Sequence, residues 1–122
     1  MDASRARRVR VIAERAAATL ATAGVADDPV SRMVGLLRHR SLARGDGLVI
    51  EPCSMVHTWF MRFAIDVLFL DRAGTVVASV DTLRPFRMAW GGWRARITIE
   101  LPAGTLRGAG VGAGERIRME PA

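Results

Sequence analysis

Residues Ile65 to Leu70 read Ile-Asp-Val-Leu-Phe-Leu, and Asp71-Arg72-Ala73-Gly74 follows at once. An apolar run this short, rich in strand formers and bounded by a turn signal, predicts a strand covered on both faces. The Asp can hydrogen-bond the backbone two residues on, and the Gly supplies positive φ. Thr75 to Val80 is again β-branched and apolar. It predicts the returning strand of a hairpin. A chain with a buried hairpin at its centre has to supply other strands to cover it.

Those strands can be found on either side. Arg8-Val9-Arg10-Val11 alternates as a half-buried strand does, and Ala16 to Val25 leans to strand because Gly24 would break a helix. Arg44 to Gly47 predicts a turn and Leu48 to Ile50 a short strand that Pro52 ends, with Cys53 to Thr58 a loop or irregular edge. Leu83 to Trp93, interrupted by Pro85, Gly91 and Gly92, reads as a long loop. Arg96 to Leu101 sets Ile97 and Ile99 against Thr98 and Glu100, the pattern of a one-sided strand. Pro102 to Leu106 allows a short helical turn. Gly108, Gly110, Gly112 and Gly114 predict irregular chain until a last strand, Arg116 to Met119. One helix is expected, about 29–39. Asp27-Asp28-Pro29 caps it, Val30, Met33, Val34 and Leu37 share a face, and Arg38, His39 and Arg40 suit its negative end.

The expected fold class is therefore α+β and mostly β: a small antiparallel barrel or strongly bent sheet with one packed helix. At 122 residues the chain suits one core. We divide it into a basic arm with the first strand, 1–15, and one globular domain, 16–122. Half of the residues are hydrophobic and a quarter charged, which excludes wholesale disorder. The net charge is +6 and all 18 basic residues are arginine. Because no lysine is used at all, arginine as such carries no chemical message. The arm holds Arg5, Arg7, Arg8, Arg10 and Arg15 against Asp2 and Glu14, half of the excess. Such an arm allows weak, sequence-blind contact with nucleic acid, or merely keeps the chain in solution. Glu14 and Arg15 interrupt the apolar residues that a signal peptide would need, and no apolar run reaches membrane-spanning length. Cytoplasm is the expected location. Cys53 is the one cysteine, which suits a reducing compartment.

Four segments in order carry a family resemblance. They are Arg32-Met33-Val34-Gly35-Leu36-Leu37; Gly47-Leu48-Val49-Ile50; His57 to Arg62 with Ile65 to Asp71; and Glu100 to Gly104 with Gly110-Val111 and Gly114-Glu115. Together they resemble the domain of unknown function 192 family over about residues 28–119. The resemblance implies a fold and no established activity. Many members carry Asn-Thr and a Pro within the central motif. Here only Arg62-Phe63-Ala64-Ile65 stands between Met61 and Asp66, so no role of that pair carries over.

Candidate chemistry is sparse. Cys53 and His57 lie four apart, with Asp66 able to orient the imidazole and Arg62 to hold an anion, which makes a nucleophile and base conceivable. The plainer expectation is a small structural thiol, His57 as a loop anchor and Asp66 as an acid pinning a loop, with Glu100 similar. Two ligands are too few for structural zinc, and His39 sits among arginines, so no metal and no cofactor are expected. Phe86 to Arg94 is richer. Between Asp81 and Glu100 stand four Arg, three aromatics and no acid. Arg62, Arg84, Arg87, Trp90, Trp93 and Arg94 form the expected ligand-binding set, suited to an anionic ligand by charge and stacking. The alternative is that both tryptophans cap the core while the arginines reach outward. The expected function is a non-catalytic binding or accessory module using loops 53–62 and 84–94, for an unidentified protein partner or anionic small ligand. A Cys53/His57 enzyme is the second reading, and nonspecific nucleic-acid binding through the arm a distant third.

Overall fold

The computed structural model describes residues 7–26, 44–59 and 61–122 of the chain. The expected helix at 29–39, with His39, and the first six residues of the arm lie outside them. The strands are β1 (Arg8–Ala13), β2 (Ala18–Ala26), β3 (Asp46–Ile50), β4 (Met55–His57), β5 (Ile65–Leu70), β6 (Val76–Leu83), β7 (Met88–Trp90), β8 (Ile97–Pro102) and β9 (Ile117–Pro121). A short helix, α1 (Thr105–Ala109), precedes β9.

Seven strands make one sheet in the order β6-β5-β8-β3-β2-β1-β9. Its two outermost strands meet at one corner. Thr75 bridges Arg116, the Val76 amide donates to the Glu115 carbonyl at 2.8 Å, and the Ile117 amide donates to the Gly74 carbonyl at 2.9 Å. The sheet is thus curled into a half-barrel, as the mostly β expectation required. Neighbours are antiparallel except β2 and β3, which run parallel.

The expected central hairpin is β5–β6. The Asp71 carboxylate accepts from the Ala73 and Thr75 amides, both at 2.9 Å, and Gly74 has φ +90°. All six residues of β5 are buried because the strand is a shared wall. Leu68 and Leu70 face one apolar cluster, inside the curl, with Val11, Ile99, Leu101 and Leu106. Ile65, Val67 and Phe69 face a second cluster outside it, with Val56, Met61, Leu83 and Ala95. Burying each large side chain of this wall contributes about 1.5–3 kcal/mol.

Three local readings change. β8 is covered on both faces, so Thr98 and Glu100 are buried where alternation predicted exposure. Thr98 is accommodated there because its hydroxyl donates to the Cys53 carbonyl at 3.0 Å. The 83–93 stretch is not one loop. β6 runs to Leu83, and Met88–Trp90 forms a strand paired with β4, which was expected to be irregular. Gly108 lies inside α1, so the glycine series does not exclude a helix there.

Candidate functional site

β4 and β7 form a separate two-stranded sheet, with Met55 opposite Trp90, Val56 opposite Ala89 and His57 opposite Met88. Successive side chains of a strand point to opposite faces. Val56 therefore goes inward with Ala89, into the second cluster, while Met55, His57, Met88 and Trp90 go outward. This pairing brings the two expected binding segments, 53–62 and 84–94, onto one surface.

Two devices hold the small sheet in place. Gly91 lies against Phe69 of β5, so closely that an added Cβ would fall 2.4 Å from the ring Cγ. Its amide donates to the Ser54 carbonyl at 2.7 Å. At the other end Thr58 is completely buried and ties the segments together. Its hydroxyl donates to the Arg84 carbonyl at 2.6 Å and accepts from the Arg87 amide at 2.9 Å. Its own amide donates to the Arg87 carbonyl, and its carbonyl accepts from Phe86. Sequence reading missed Thr58, because a lone Thr in an aromatic stretch carries no signal of its partners.

The turn so held is strained. Phe86 sits at φ +59°, a left-handed conformation that costs a bulky residue about 1–3 kcal/mol. Among the described residues every large apolar side chain that stands exposed belongs to this region: Met55, Trp59, Phe86, Met88, Trp90 and Trp93. Trp93 is 86% exposed and Trp90 51%. The tryptophans do not cap the core, so that alternative is set aside. They instead pack edge to face, centroids 5.1 Å apart and planes at 88°. His57 and Trp59 repeat the arrangement at 5.4 Å and 81°.

Arg62, Arg84, Arg87 and Arg94 are all exposed in the turns around this face. None of the ion pairs among the described residues includes them. Those pairs join Arg7 to Glu51, Arg10 and Arg118 to Glu120, Arg107 to Asp81 and Arg116 to Glu14. The cause is in the sequence, since no Asp or Glu occurs between Glu51 and Asp66 or between Asp81 and Glu100.

The remaining candidates are not brought together as a reactive set. The Cys53 thiol is half-buried beside the second cluster and donates to the Met55 carbonyl at 3.1 Å. His57 is exposed on the outward face, and its Nδ1 accepts from the Trp59 amide at 3.3 Å. Thiol and imidazole thus have other partners. Asp66 is completely buried on the opposite side of β5, on the face of Leu68 and Leu70. One carboxylate oxygen accepts from the Thr82 amide and the other from the Leu106 amide, both at 2.9 Å. Thr82 stands at φ +61° where the β5–β6 register shifts. Leu106 is in the first turn of α1, whose N-cap, Gly104, has no side chain to offer. Asp66 therefore caps the helix from a distance and stabilises the bulge, with no contact to Arg62 in evidence among its bonds. Among the described residues no three side chains of His, Cys, Asp or Glu converge as metal ligands would.

Comparisons with known proteins agree with this fold. A crystal structure from Sinorhizobium meliloti 1021, of a protein provisionally described as a transcription regulator, matches with a TM-score of 0.76 at 26% identity, over 93% of this chain and 92% of that one. A protein of unknown function from Novosphingobium aromaticivorans matches with a TM-score of 0.74 over 91% of this chain and 83% of that one. At 14% identity it shares the fold alone. A UPF0127 protein of Pyrococcus abyssi is 40% identical over 62 residues, and the match spans about half of each chain, 51% of this one and 52% of the relative. The model of the domain of unknown function 192 family, described as "Uncharacterized ACR", matches residues 10–119. The chain belongs to this family.

Proposed function

We propose that the protein is a non-catalytic binding module that presents the outward face of β4–β7 to an anionic partner. One observation carries this reading: the exposed aromatic and methionine side chains are gathered on and beside the small sheet, in segments whose exposed arginines Arg62, Arg84, Arg87 and Arg94 take part in none of the ion pairs among the described residues. Isolated exposed apolar residues are ordinary, but a contiguous set ringed by charge marks an interaction surface. The strain at Phe86 supports the same reading, since a turn held in a costly conformation presents its side chains in a fixed arrangement. The cytoplasm, with its reducing conditions, suits a protein whose one cysteine is half-buried.

The Cys53/His57 enzyme has less support, because each group is hydrogen-bonded elsewhere. Slow alkylation of native Cys53 by iodoacetamide is expected, and fast labelling would return weight to the enzyme. The module reading is tested by hydroxyl-radical footprinting, to which Met and Trp respond strongly. We expect Met55, Met88, Trp90 and Trp93 to be oxidised rapidly in the purified protein and protected in extract of the source cells, with Met119 in β9 unchanged. Equal oxidation under both conditions would refute a docking face.

A further inference from the structure

We infer that the β4–β7 face takes an acidic, apolar polypeptide segment, in which carboxylates alternate with large hydrophobic side chains. This rests on the module reading and names its partner chemistry. The first argument is charge. The two segments that build the face, 52–65 and 82–99, contain Arg62, Arg84, Arg87, Arg94 and Arg96 and no acid. Arg96 is directed at the Trp93 and Ala95 carbonyls, and Arg87 gives one nitrogen to the Phe86 carbonyl at 3.3 Å, which leaves the guanidiniums of Arg62, Arg84 and Arg94 and the other N–H groups of Arg87 exposed in the segments that flank the small sheet. Carboxylates suit such flanks, since each can take paired N–H donors from one guanidinium.

The second argument is the kind of apolar surface. Met55 and Met88 stand diagonally across the small sheet, opposite Trp90 and His57 respectively. Methionine adapts its shape to side chains of varied form, and Trp, Met and Arg are the residues enriched at the centres of protein interfaces. The third argument is ring geometry, and it discriminates against nucleic acid. Strands of bases are bound on aromatic faces that lie free and roughly parallel to the bases. Here Trp90 with Trp93, and His57 with Trp59, stand nearly perpendicular. Each pair makes a corner between two rings. A corner accepts a leucine or phenylalanine side chain, whereas it interrupts a run of stacked bases.

The test uses the full chain and four probes in physiological salt: a 15-residue peptide alternating Glu with Leu and Phe, the same peptide with Lys for Glu, polyglutamate, and oligothymidylate. Binding is followed by tryptophan fluorescence and by amide NMR shifts. The acidic apolar peptide is expected to bind at least about tenfold more tightly than the other three, shifting residues 55–59 and 84–94. Trp93→Ala and Arg87→Glu should each weaken it about tenfold or more without changing the thermal melt, because both side chains are exposed. Equal binding of polyglutamate would show charge alone and overturn the inference. So would tighter binding of oligothymidylate at the same residues, or no preference for Glu over Lys. If none of the probes binds while footprinting still shows protection in extract, the partner chemistry is wrong and the docking face stands. Loss of that protection would remove both.

Discussion

The half-barrel and the small β4–β7 sheet dispose of the same residue types in opposite ways. Around β1, β2 and β9 the apolar side chains turn inward and arginines on the surface meet carboxylates, as Arg10 and Arg118 meet Glu120. On the small sheet the large side chains turn outward and the arginines meet none. The inner face of the small sheet is made of small residues, Val56, Ala89 and Gly91, so little of its own apolar surface secures it. It is held instead by a close backbone approach at Gly91 and by the bonds of Thr58. The contrast teaches that the half-barrel is a frame that turns its large apolar side chains in upon its own core, whereas the small sheet is a surface that turns them outward.

The comparison can be broken at the joint between the two regions, where the largest effect is expected. Gly91→Ala drives a methyl group into the ring of fully buried Phe69, and should cost about 3 kcal/mol or more, read from denaturant melts. It should also weaken peptide binding, because the small sheet must lift to make room. Retained stability would mean that the small sheet is not seated on β5. Within the frame, Asp66→Asn replaces one of two accepting oxygens by a donor, facing an amide that also donates. A loss of about 2–3 kcal/mol is expected, with binding to the folded protein unchanged. Reduced affinity in the still-folded variant would show that frame and surface are coupled.

Thr58→Val keeps the shape and removes the hydroxyl. About 1–3 kcal/mol should be lost, with faster amide exchange at Phe86 and Arg87 as the local signature. The smallest change in stability belongs to Trp93→Ala, within about 0.5 kcal/mol of the parent, since so exposed a ring contributes little to folding. A variant that loses binding and keeps stability sharpens the division between the two regions further than the other three.

The frame was legible in the sequence where local chemistry and tertiary structure agree. Asp71 and Gly74 are turn residues on their own account, and they make that turn. β8 was legible as a strand and misread as to its faces, because a buried Thr98 looks like an exposed one until its acceptor, 45 residues away, is known. β7 was hidden for a similar reason. Three residues between Pro85 and Gly91 have no period to detect, and only pairing with β4 makes them a strand. The binding set was legible as composition, since arginines and tryptophans without acids stand out in any reading. What composition could not convey is that 53–62 and 84–94 share one face, or that Met55 and Met88 join it.

The pairing of β1 with β9 places the first described strand of the chain against the last, so that Arg10 and Glu120 touch across 110 residues. Such contacts become favourable only after a long loop has been closed, and chains that depend on them fold slowly. During synthesis β1 and β2 can form their hairpin early, but the outer edge of β1 stays open until β9 has left the ribosome. A chain stopped before Ile117 would present that edge, with Val9 and Val11 beside it, to other unfinished chains. The β1–β9 ladder thus sets an order: the aggregation-prone edge of β1 is covered only once β9 has been made.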